Sequence, residues 1–265
     1  MPSAGGSVRI LLLGAALLGT ASCAGRLPPR PSGAPSAAGD AAVIFAGATT
    51  HCASLRTMTM ELGLSGRAGD EKLRGRVITG LERGGAARLE GLAPFGAPLF
   101  ILAARGERAT LLLPRDRRVL EPTTVAEVLE RFTGLALGAD DLLHALSGCL
   151  GAGGAVEDGR QWPGGWRAVS VAGERTAYLR EESGAWRVAA VDGGGWRADY
   201  AETVNGFPRT VRLRSTDGAV DLTARVQQLE VNTAIDAAAF EVAIPPDTEP
   251  MTIEELRSVA PLRTP

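Results

Sequence analysis

Residues 57–66 read Thr57-Met58-Thr59-Met60-Glu61-Leu62-Gly63-Leu64-Ser65-Gly66. Met58, Met60, Leu62 and Leu64 fall on one parity, and Thr59, Glu61 and Gly63 on the other. A period of two describes a strand with one buried face. Just upstream the period is helical. Ile44, Ala48, Cys52 and Leu55 share one face behind a capping Asp40, which predicts a helix over 41–55. Downstream, strands are predicted over 73–82, 86–92, 99–105, 108–114 and 118–122. Gly69-Asp70, Gly84-Gly85 and Arg105-Gly106-Glu107 separate them as hairpin turns. Connections this short imply antiparallel neighbours.

Two helices interrupt the strands. Thr124 and Glu127 form a capping box ahead of the stripe Val125, Val128, Leu129 and Phe132, and Gly134 ends that helix. The next starts at Asp140 or Asp141 and turns Leu142, Leu143, Leu146 and Cys149 inward. The glycine-rich stretch 151–165 reads as a long mobile loop. Six further strands follow over 167–172, 175–180, 186–191, 196–202, 209–215 and 220–231. In the last, the apolar parity switches after Val226, so a bulge is expected at Gln227-Gln228. Thr252 caps a short terminal helix carrying Leu256 and Val259. The order is helix, six strands, two helices, six strands, helix. With no alternation of strand and helix, the sheet is antiparallel. Leu99-Phe100-Ile101-Leu102 and Leu111-Leu112-Leu113 are apolar at both parities, so both faces are covered there. Either these strands form a tight core pair, or a curved sheet holds an apolar cavity on its concave side.

The composition narrows the function classes. The 265 residues carry 28 basic and 30 acidic side chains, a net charge of −2, which offers no field for nucleic acid. The apolar share of 45% argues for a packed core rather than disorder. With 34 glycines and 16 prolines the chain favours many turns and short strands over a bundle. Two histidines and three cysteines leave little for a protein-built metal site, and none is expected. No nucleophile elbow, P-loop or zinc-protease motif occurs. Asp140-Asp141, Glu181-Glu182 and Glu254-Glu255 are neighbours in sequence and do not converge on one substrate. Gly193-Gly194-Gly195 leads from strand to strand and is a turn, not a phosphate cradle. Trp162, Trp166, Trp186 and Trp196 either stack ligands or pack on core edges. No catalytic residue is expected.

The first 22 residues read as a secretory leader. Arg9 supplies the positive region, and residues 10–18 form an apolar run too short to span a bilayer. Thr20-Ala21-Ser22-Cys23 resembles the lipobox of bacterial lipoproteins, with Thr20 where leucine is usual. The alternative is an ordinary leader cut within 21–24. The resemblance implies diacylglycerol and N-acyl (palmitate) groups on Cys23. Ala24, where an aspartate would retain such a protein in the inner membrane, implies the periplasmic face of the outer membrane. Pro28, Pro29, Pro31 and Pro35 make 23–39 a tether, and 40–265 the folded domain. With Cys23 acylated, Cys52 and Cys149 are the remaining thiols in an oxidising compartment. Each ends an amphipathic helix, so a disulfide between them is expected, with two buried free thiols as the alternative.

The layout resembles the LolA/LolB-like periplasmic lipoprotein-sorting family over about residues 40–250. The carrying residues are the opening strand at 57–66, then Ala87-Arg88-Leu89-Glu90-Gly91-Leu92-Ala93-Pro94-Phe95-Gly96-Ala97-Pro98-Leu99-Phe100. Near the end they are Gly206-Phe207-Pro208, Leu229-Glu230-Val231-Asn232 and Phe240-Glu241-Val242-Ala243-Ile244-Pro245. The resemblance implies a mainly β fold, one open antiparallel half-barrel with a helical lid over an apolar cavity. It implies a non-enzyme that accepts acyl chains of lipoproteins from a soluble periplasmic carrier of LolA type and delivers them to the membrane. Another envelope lipid or glycolipid carrier, or a scaffold lipoprotein, fits the same layout. Met58, Met60, Leu62, Leu99, Ile101, Leu111 and Leu113 are the candidate cavity lining, although Met58 and Met60 suit an ordinary core equally. Pro94, Phe95 and Gly96 form the candidate hand-off loop. Phe95 there either dips into a membrane, projects without a role, or folds back under the sheet.

Overall fold

The computed structural model describes residues 27–95, 98–150, 156–171 and 175–256. Cys23, Gly96 and the end of the terminal helix lie outside the described residues. The described chain is mainly β, with three α-helices on one large open curved sheet. The long hairpin β2 (Thr57–Ala68) and β3 (Glu71–Glu82) is its centre. On one side follow β4 (Ala86–Leu92), β5 (Phe100–Arg105), β6 (Arg108–Leu113) and β7 (Arg118–Thr123). On the other side β2 pairs with β14 (Val220–Val231). Then come β13 (Phe207–Ser215), β12 (Trp196–Val204), β11 (Ala185–Gly193), β10 (Arg175–Glu182), β9 (Trp166–Val171) and β8 (Val156–Trp162). The two-residue strands β1 (Ser36–Ala37) and β15 (Glu249–Pro250) form the edges, and β15 alone pairs in parallel, with β7.

The period-two residues behave as their chemistry requires. Met58, Met60 and Leu62 are buried with Val77, Leu81, Leu89, Leu213 and Leu222 in one continuous core. The bulge in β14 falls between Val226 and Gln228 and brings Leu229 and Val231 back against that core. Helix α2 (Val125–Thr133) buries Val125, Val128, Leu129 and Phe132 on the same face. Its capping box is complete: Glu127 N donates to Thr124 Oγ1 at 3.1 Å, and Thr124 N to Glu127 Oε2 at 2.9 Å. Gly134 closes it in the left-handed region, at φ 79°. Helix α3 (Ala139–Ser147) buries Leu142, Leu143 and Leu146. On β5 and β6 both faces are indeed covered. Phe100, Leu102, Leu111 and Leu113 join the core, while Ala103 and Leu112 are buried on the other face. A short 3-10 turn (Ala237–Phe240) lies against β4 and β5 there, held by Arg88 and Arg105 to its backbone carbonyls.

Three expectations need correction. The first helix, α1, is Ala41–Ala48, and the chain continues as a 3-10 turn over Thr50–Ser54. Thr49 and Thr50 hydroxyls donate to the carbonyls of Phe45 and Ala46, competing with the helical ladder. Asp40 caps nothing through its side chain, because its carboxylate pairs with Arg167 at 3.0 Å. Residues 156–162 of the expected loop are strand β8, so the second run has seven strands. Gly159 there is a packing glycine, since a Cβ would lie 2.4 Å from the carbonyl oxygen of Ala38. Lastly, the expected tether is laid on the sheet from Leu27 onward. Arg30 crosses to Asp192 and to Asp199 (2.7 Å), and Trp162 Nε1 donates to Gly33 O at 3.0 Å.

Candidate functional site

Strands β2, β3, β4, β13 and β14 form the floor of an apolar cavity of about 80 Å³, and α2, α3 and their connection form its roof. Leu62, Leu64, Val77, Leu89, Leu213 and Leu222 rise from the floor. Leu129, Phe132, Leu135, Leu137, Leu142 and Leu146 descend from the roof. These come together because the strand period and the two helix stripes point to one side. Phe100 walls the cavity and lies over Gly91, where a Cβ would stand 2.4 Å from its ring. Its edge meets Phe132 with centroids 5.2 Å apart. No residue with an ionisable side chain lines the space. Two threonines supply its polar side-chain atoms. Thr133 Oγ1 donates to Leu129 O at 2.7 Å, whereas the buried Thr79 hydroxyl has no hydrogen-bond partner among the described residues.

The lining differs from the sequence reading. Of the expected residues only Leu62 faces the cavity. Met58, Met60, Leu111 and Leu113 are buried elsewhere in the same core, and Leu99 is half-buried at its margin. Ile101 is half-buried and outside that core, because it shares the opposite parity from Phe100 and Leu102. Leu129, Phe132, Leu142 and Leu146 were visible as helix stripes, whereas Leu135 and Leu137 lie in the connection and carry no period; nothing in the spacing says which strands any of them meet. The volume is also smaller than the 300–1,000 Å³ usual for a ligand site, so a long chain enters only if the roof moves outward.

Phe95 is 88% exposed at the tip of the β4–β5 connection, beside an exposed Pro94. Its carbonyl accepts from Arg115 Nη2 at 2.8 Å. Cys52 and Cys149 are joined as a disulfide, which ties the end of α3 to the 3-10 turn after α1. His51 lies against that bridge, with Nε2 3.5 Å from Cys52 Sγ and its ring edge-on to Phe207 at 5.0 Å. Burial, and secondarily Arg187, pushes the His51 pKa down. With both sulfurs bonded to each other, this cluster offers one imidazole rather than a metal site. His144 is likewise pushed down by burial and by Arg175, which also pairs with Asp141. Trp166 and Trp196 are core residues, while Trp186 lies under Arg167, so none of the three is a free stacking surface.

No family model matches the chain, and no curated protein matches it. Solved structures do. A LolA superfamily protein from Nitrosomonas europaea aligns over 76% of this chain and 97% of its own, at 10% identity and TM-score 0.49. A DUF1329 family protein from Desulfovibrio piger aligns over 75% and 97%, at 11% identity and TM-score 0.47. A Vibrio parahaemolyticus domain named for outer-membrane lipoprotein sorting aligns over 70% and 89%, at 10% identity and TM-score 0.43. The likeness to all three is one of layout, at low identity.

Proposed function

We propose that this chain is a lipid-anchored envelope protein that receives the acyl chains of other lipoproteins and passes them to the outer membrane, working after a soluble LolA-type carrier. Cys23 carries its own anchor. The observation that supports the reading is the cavity between sheet and helices: apolar side chains apart from two threonines, no ionisable group, and a roof made of two short helices and their connection. Such walls favour a hydrocarbon chain and assign it no bond-making chemistry. The Thr79 hydroxyl is the one polar side-chain atom there without a partner among the described residues, and it suits the ester oxygen of an acylated lipid, which accepts a hydrogen bond. The roof opens by α2 and residues 134–138 swinging from the sheet, while the disulfide holds the end of α3.

Mass spectrometry of lipid co-purifying with the chain from envelope extracts tests this. Acylated peptide is the expected ligand. Glycolipid or free phospholipid alone would replace it with a carrier of another lipid. No bound lipid, together with no uptake of added acylated peptide, would leave a scaffold.

A further inference from the structure

The face of the sheet turned away from the helices carries an uneven charge. On β2, β3 and β14 the side chains of Arg67, Lys72, Arg74 and Arg225 are exposed and form no ion pair with a described carboxylate. Register brings them together: Lys72 pairs across to Arg67, Arg74 to Ser65, and Arg225 to Gly63, with Asp221 on the other side of Arg67 and attracted by it. Cross-strand neighbours stand about 5 Å apart, so four cations share a patch a few strands wide. The nearby arginines are neutralised. Arg212 holds Asp221, Arg214 holds Asp199 and Arg76 holds Glu61. A chain of net charge −2 thus keeps a local excess of positive charge on one face.

The same face carries the start of the described chain. The N-terminal segment runs across it, pinned by Arg30 at Asp192 and Asp199, and Leu27 lies in a groove of about 570 Å³ that Arg67, Lys72 and Arg225 also line. Leu27 is four residues after Cys23. Four extended residues reach at most about 14 Å. An anchor on Cys23 is thus held within about 14 Å of the groove that Arg67, Lys72 and Arg225 line. Phe95 projects from the same end of the sheet, since the β4–β5 connection leaves β4 at Leu92, opposite Arg76.

We infer that the outer face of β14-β2-β3 docks on an anionic phospholipid surface, with Arg67, Lys72, Arg74 and Arg225 as headgroup contacts. A lipid anchor and a basic patch are the two signals that together give stable attachment. Here they also fix orientation: the helix-covered face turns away from the bilayer and stays open to an incoming carrier, while Phe95 sits at the rim nearest the lipid. This rests on the lipoprotein reading of Cys23 for the anchor's position.

The test is sedimentation of the full chain carrying Cys23→Ser with vesicles of phosphatidylethanolamine and phosphatidylglycerol, or of phosphatidylcholine alone. The leader contributes equally to every variant, so differences between variants read the patch. Binding is expected to favour the anionic vesicles and to weaken at 0.5 M salt. Replacing all four cations by Gln should weaken it by about tenfold or more. Glu at the same positions should weaken it further, and thermal melting of each variant checks folding. Equal binding to both vesicles, or anionic preference unchanged in the Gln variant, would overturn the inference. Uptake of acylated peptide, measured on the same proteins, separates failure of this surface from failure of the proposed function.

Discussion

Thr79 is a residue whose chemistry points away from stability. A buried hydroxyl without a partner costs about 1–3 kcal/mol, and valine has nearly its shape. Thr79→Val should therefore hold or raise the melting temperature of the empty chain. Its affinity for an ester-bearing acyl chain should fall, while affinity for a plain hydrocarbon should not. Calorimetric titration with the two ligands measures this, and equal effects on both would remove Thr79 from recognition. Phe95 makes the opposite case at the surface. At 88% exposure it contributes little to packing, so Phe95→Glu should shift stability by no more than about 0.5 kcal/mol. Lipoprotein delivery to liposomes should nonetheless drop, because a charge there opposes insertion at the interface. A loss of several kcal/mol would make it a core residue. Wild-type delivery would remove the loop from hand-off.

Among the elements, those with a strong local period were legible. The β2 alternation, the capping box at Thr124 and the bulge after Val226 each stand where a few neighbouring residues determine them. The misreadings share a different cause. Strand β8 looked like a loop because Gly159 serves a close approach of Ala38, a residue far away in sequence. The segment before α1 looked like a free tether because Arg30 finds its carboxylates more than 160 residues on. The cavity was half legible: its stripes were visible, but not the pairing of roof to floor. One long-range link was expected from thiol counting. Cys52 and Cys149, 97 residues apart, are joined between the 3-10 turn and the end of α3. On the chain-entropy argument this loop contributes about 4–5 kcal/mol. Cys52→Ala with Cys149→Ala should lower the melting temperature strongly, and thiol titration of the denatured, unreduced wild type should find neither cysteine. Two reactive groups at these positions would rule the bridge out.

At the scale of the molecule, one sheet presents two different faces. The face under α2 and α3 is a continuous apolar core with a small cavity, and the other bears the N-terminal segment and the exposed cations. A chain that moves acyl groups towards a membrane needs both: a place that excludes water and a surface that meets headgroups. The first is the proposed acyl-chain site. Photo-crosslinking tests it most directly, using the full chain and an acylated peptide with a diazirine midway along its acyl chain, followed by mapping of the modified peptides. Adducts are expected on the cavity walls, at Leu62, Leu89, Leu129 and Leu142, and they should fade when unlabelled acylated peptide competes. Adducts confined to the outer face, or none above the level of an unrelated protein, would contradict it.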